Sequence, residues 1–110
     1  MAISNLFSIK SKSLFKNEIE LLKKKAQSFS TQGIIANIKG MRDRVDRTII
    51  LSKFNKQKWI LCGDEDPLIP LNSSESIAKQ TETSIKILSG SHMSWLENES
   101  EIVNFLHLID

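Results

Sequence analysis

A single cysteine, Cys62, stands in the 110 residues, so no internal disulfide can form and the chain suits a reducing, cytoplasmic setting. Nor is there an excess of charge: 15 basic against 13 acidic residues leave +2, too little to make nucleic acid or an anionic membrane the expected partner. The opening MAISNLFSIKSK lacks the apolar core of a secretory signal, and no stretch approaches the roughly 18 apolar residues of a membrane span. Internal repeats, low-complexity tracts and Gly/Ser linkers are missing as well. What remains is ordinary for one soluble domain: 40% hydrophobic and 25% charged residues, enough for one modest core.

Apolar residues recur at three- and four-residue steps from Leu14 to Phe29 (Leu14, Phe15, Ile19, Leu22, Ala26, Phe29), which predicts an amphipathic helix. Lys23, Lys24 and Lys25 fall late in it, where positive charge complements the helix dipole, so they read as a solvated helix end. Ser30 or Thr31 can cap a second helix striped by Ile34, Ile35, Ile38 and Met41, although Gly33 and Gly40 weaken it. A helical turn over Arg47 to Phe54 follows. Arg42, Arg44, Asp46 and Arg47 are expected to form exposed ion pairs. SKFNKQK is the nearest thing to a seam, dividing a helical part over residues 1–55 from a β-α-β-α part over 56–110.

Within Lys58 to Cys62, Trp59, Ile60, Leu61 and Cys62 form a continuous apolar run closed by Gly63, the pattern of a strand covered on both faces. Pro67 and Pro70 forbid regular pairing, so Gly63 to Leu71 is a loop. Ser73 or Ser74 caps a helix to about Gln80, Ser84 to Leu88 forms a second strand, and Asn98 with Glu101 three residues on makes an Asn-based capping box. The last helix carries Ile102, Phe105, Leu106 and Ile109 on one face. The order strand, helix, strand, helix reads as two parallel neighbours joined by a helical crossover, right-handed in nearly all cases. Asp66 and His92 then leave the carboxyl ends of those strands at one rim, where open α/β sheets place their chemistry. Two strands are few for a stable sheet, and the exposed edge invites pairing with another chain.

GDEDPLIP and SGSHMSWLEN resemble the C-terminal part of an α/β-hydrolase. The family's Gly-x-x-Asp-x-x-x-Pro pattern is matched by Gly63, Asp66 and Pro70, and its Gly-x-His loop by Gly90 and His92, followed by Met93, Trp95, Leu96 and Glu97. FSTQGIIANIKGMRDRVDRTIIL is similar to the end of the cap and the return helix of small cap-bearing, esterase-like members. The resemblance implies a partial α/β-hydrolase fold, with His92 as the base and Asp66 as its orienting acid, no cofactor, and an ester-like small-molecule substrate. Family order is nucleophile, acid, histidine. No serine here has glycine two positions away on both sides, so the nucleophile elbow is absent, and the family's oxyanion segment, which lies further upstream still, is absent with it. The resemblance therefore implies a fragment, inactive or nearly so by itself, with serine or aspartate as the missing nucleophile.

Other residues carry less. Asp64 and Glu65 are expected to be solvated loop charges, since three consecutive carboxylates with Asp66 do not converge readily on a hard cation. Cys62, inside an apolar strand, is expected to be a buried, inert thiol. Met93 and Trp95 either line an acyl pocket or pack beneath the loop, and His107 is a surface residue. The alternative from a different class is a non-catalytic α/β module that completes its sheet with another chain.

Overall fold

Ser8 caps α1, Ile9–Leu14: its hydroxyl accepts from the Ser11 amide at 3.3 Å. In this computed structural model, which describes residues 3–109, a 3-10 turn at Ile3–Leu6 precedes α1. Helical structure therefore starts well before Leu14. Phe15, with φ −106° and ψ 31°, breaks the expected continuous helix and hands over to α2, Lys16–Gln27. The break lets Phe7 and Phe15 approach (ring centroids 6.3 Å apart) around buried Ile19. Lys24 and Lys25 do fall in the last turn of α2, while Lys23 pairs with Glu20 at 2.8 Å.

Ser30 caps α3, Thr31–Arg42, by accepting from the Gly33 amide at 3.0 Å. α4, Thr48–Lys53, follows. Its start is fixed by Asp46, whose carboxylate accepts from the Thr48 amide at 2.7 Å and from its hydroxyl at 2.6 Å. Asp46 is thus a turn-former here and not the ion-pair partner expected of it; Arg42 pairs with Asp43 instead.

β1, Trp59–Gly63, and β2, Ser84–Leu88, form a parallel two-stranded sheet in the register Trp59 with Ser84 through Gly63 with Leu88. Between them runs α5, Leu71–Thr81. It starts earlier than a Ser73 or Ser74 cap predicts, because Pro70, at φ −55° and ψ 141°, turns its carbonyl to the Ser73 amide at 2.9 Å. Ser74 is buried instead, hydrogen-bonded with Cys62. Glu82 ends α5 in the left-handed region at φ 52°.

A short helix α6, Ser94–Glu97, comes after β2 and was not apparent in the sequence pattern; α7, Glu99–Ile109, is the last element among the described residues. α7 covers the sheet through an edge-to-face contact of Phe105 with Trp59, 5.0 Å between centroids, and an ion pair of Glu101 with Lys86 at 2.9 Å. The expected capping box does not form, since Glu101 is drawn to Lys86 and the Asn98 side-chain Nδ2 donates to the Ser89 carbonyl.

Mixed helix and strand with two parallel strands is the architecture. Full coverage of β1 is not realised: Trp59 and Leu61 remain 37% and 36% exposed, and Ile87 is 42% exposed. Two strands are too narrow for one helix on each side to shield both edges. Among the described residues no helix is long and apolar enough to cross a membrane.

Candidate active site

Asp66 lies three residues past the end of β1 and His92 four past the end of β2, so the parallel register delivers both to one rim. The ladder continues beyond the strands. The Asp64 amide donates to the Leu88 carbonyl at 2.9 Å, the Glu65 amide to the Gly90 carbonyl at 2.8 Å, and the Gly90 amide to the Asp64 carboxylate at 2.8 Å. Asp64 therefore ties the two loops together, and Glu65 pairs with Lys10 at 3.0 Å. Both are exposed, as expected of solvated loop charges, and each in addition has a partner. The crossing is close: a side chain at Gly63 would collide with the carbonyl oxygens of Gly90 and Ser91.

Against this frame His92 Nδ1 meets Asp66 Oδ2 at 2.9 Å. The other carboxylate oxygen, Oδ1, accepts from the amides of Leu68 at 2.8 Å and Ile69 at 3.0 Å, an Asx-type turn that Pro67 favours by fixing its own φ. Asp66 is the buried partner at 7% side-chain exposure, and the ring is 36% exposed. Burial alone pushes the Asp66 carboxyl up, but the Ile69 amide, the His92 ring and the Leu68 amide outweigh it and hold the carboxyl below its ordinary range. A carboxylate so held takes the Nδ1 proton as a hydrogen-bond donor, which leaves Nε2 as the basic nitrogen. No hydrogen bond to Nε2 is made among the described residues.

A cleft of about 420 Å³ opens beside the pair, walled by Ile69, Trp95 and Ile102 with Cys62 and Ser74 at its floor. Burial pushes the Cys62 thiol up, against the hydrogen bond with Ser74, so its thiolate is disfavoured. Met93 does not line this cleft; it is buried with Phe7 and Ile19 and pins the His92 loop to the N-terminal helices. Trp95 is 58% exposed, and His107 lies exposed on α7. Among the described residues no three His, Cys, Asp or Glu side chains gather as a metal site.

Two residues of this region have no role in the sequence reading, where Ser91 is not singled out and Glu97 only matches the acidic position after the histidine. Ser91 is fully buried beside His92, and Glu97 grips it: Glu97 Oε2 accepts from both the Ser91 amide and the Ser91 hydroxyl at 2.7 Å. Ser94 and Glu97 have the Ser-x-x-Glu spacing of a capping box, a signal that could have drawn attention to Glu97, although its carboxylate reaches back into the loop instead.

Compared with protein-family models and with curated proteins, the chain matches none.

Proposed function

We propose that Asp66 and His92 are the acid and base of a hydrolytic triad, in the C-terminal part of an α/β-hydrolase acting on an ester or similar carbonyl substrate. The observation that carries the reading is the Nδ1 to Oδ2 contact of 2.9 Å at the shared rim of two parallel strands. Nε2, facing away from Asp66, takes the proton of a hydroxyl nucleophile as that oxygen attacks the substrate carbonyl. The imidazolium, stabilised by Asp66, returns the proton to the leaving alcohol, and a water deprotonated in the same way releases the acid. The cleft walled by Ile69, Trp95 and Ile102 receives the apolar part of the substrate. The nucleophile comes from outside these residues.

The test is hydrolysis of a p-nitrophenyl ester. The 110-residue chain should be no faster than free imidazole, whereas a protein joined to its upstream coding sequence should turn over and lose about a hundredfold or more on His92→Ala. Fast turnover by the short chain, abolished by His92→Ala, contradicts the need for an external nucleophile.

A second reading, a non-catalytic module that completes its sheet with another chain, is favoured by surface. The chain exposes 8454 Å². A folded monomer of 12.5 kDa is expected to expose about 6,200 Å². Its radius of gyration of 15.9 Å likewise exceeds the roughly 13 Å of a compact domain of this length. Size-exclusion chromatography with light scattering decides: a monomer that unfolds cooperatively speaks against this reading.

A further inference from the structure

The polar atoms of Ser91 are all engaged. Its amide and hydroxyl donate to Glu97 Oε2, its hydroxyl oxygen accepts from the Met93 amide at 3.3 Å, and its carbonyl accepts from the Ser94 hydroxyl at 2.6 Å. His92, the next residue, is therefore held from one side by a saturated, fully buried serine and from the other by Met93 in the apolar cluster. Gly90 makes room for the arrangement. It sits at φ 135°, and a Cβ there would come within 2.9 Å of Glu97 Oε2.

The second oxygen of Glu97, Oε1, is buried with no partner among the described residues. An orphaned carboxylate oxygen is unfavourable, and filling space alone needs only an apolar side chain. What a carboxylate adds is one acceptor that takes an amide and a hydroxyl of the same residue together, which fixes both the backbone and the rotamer of Ser91.

We propose that Glu97 is a positioning residue for His92: through Ser91 it sets the ring so that Nδ1, and not Nε2, faces Asp66. The proposal rests on the reading of Asp66 and His92 as an acid and base pair, and it assigns Glu97 no contact with substrate.

The tautomer of the His92 ring tests it, read from long-range nitrogen–proton NMR correlations on the full chain above the titration range of imidazole. His107, exposed on α7, serves as the internal reference. Wild type should carry its proton on Nδ1. Glu97→Ala should shift the tautomer ratio toward Nε2–H by about fivefold, the factor one ordinary hydrogen bond carries. Glu97→Gln keeps an acceptor for Ser91 and should recover most of that preference. Phe105→Leu, which loosens the contact with Trp59 away from the loop, should lower stability and leave the ratio unchanged.

Should Glu97→Ala fail to fold, Ser91→Ala removes only the hydroxyl bonds and should shift the ratio in the same direction by less. An unchanged ratio in folded Glu97→Ala, or in Ser91→Ala where that variant stands in, overturns the proposal. So does an equal shift in Phe105→Leu. A wild-type ring protonated on Nε2 overturns the Asp66–His92 pairing itself, an outcome distinct from the others.

Discussion

The rim of the sheet and helix α3 are built from different material and end in opposite conditions. At the rim, Asp64, Asp66, Ser91 and Glu97 each bond to backbone groups of a loop, and the buried Leu88 and Met93 lie within the same stretch. α3 has no buried residue, although Ile34, Ile35, Ile38 and Met41 line it; Ile38 is 55% and Met41 61% exposed. An isolated helix of 12 residues is marginal in water. The contrast teaches that the polar loops at the rim are over-determined by hydrogen bonds within and between them, while an apolar stripe without a facing surface specifies nothing beyond its own turns.

The sharpest way to break the rim is at Gly63. Gly63→Ala should cost about 3 kcal/mol or more, because the new methyl meets carbonyl oxygens of the Gly90–Ser91 backbone, which cannot rotate away as a side chain would. Urea unfolding followed by tryptophan fluorescence measures it. A loss below about 1 kcal/mol would show that the two loops cross less tightly than the bonds of Asp64 imply.

A smaller effect is expected at Asp66, and it has a pH signature. Its carboxyl titrates lower in the folded state than in the unfolded chain, where the value is about 3.9. The stabilisation is therefore complete above that unfolded value and is lost as pH falls through the lower folded one. Asp66→Asn should cost about 1–2 kcal/mol near neutrality, since the bonds to Ile69, Leu68 and His92 lose their charge assistance, and should flatten the acid limb of the stability curve. Thermal unfolding of both proteins across the acid range checks this; parallel acid limbs would place the sensitivity on other carboxylates.

How much of this was legible in the sequence follows from the range of the forces involved. Ser84 to Leu88 and the Ser30 cap depend on neighbours in the chain, and both are found where the local pattern puts them. The meeting of Asp66 with His92 follows once the strands are parallel, because strand ends are carried by topology. The roles of Asp64 and Glu97 depend on which loop passes which at ångström range, and no periodicity encodes that. Pro70 displaced the expected serine cap, and Glu101 left its capping position for Lys86; in each case a nearer or opposite charge or a fixed backbone angle outcompeted a generic preference.

The smallest effect should come from α3, and it sharpens the contrast from the other side. Ile38→Glu places a charge where Ile38 is already more than half exposed, so in the isolated chain its cost should lie within about 0.5 kcal/mol, the range of ordinary surface substitutions. Arg42, four residues on, offers the new carboxylate an i,i+4 partner in the favourable orientation, although it already pairs with Asp43, which limits the gain. Equilibrium unfolding of monomeric protein gives the comparison with Gly63→Ala directly. A loss of 2 kcal/mol or more, of the order of a buried apolar side chain, would mean that the stripe is covered in solution. α3 would then belong with the over-determined rim, and the division between the two regions would be one of partners and not of sequence.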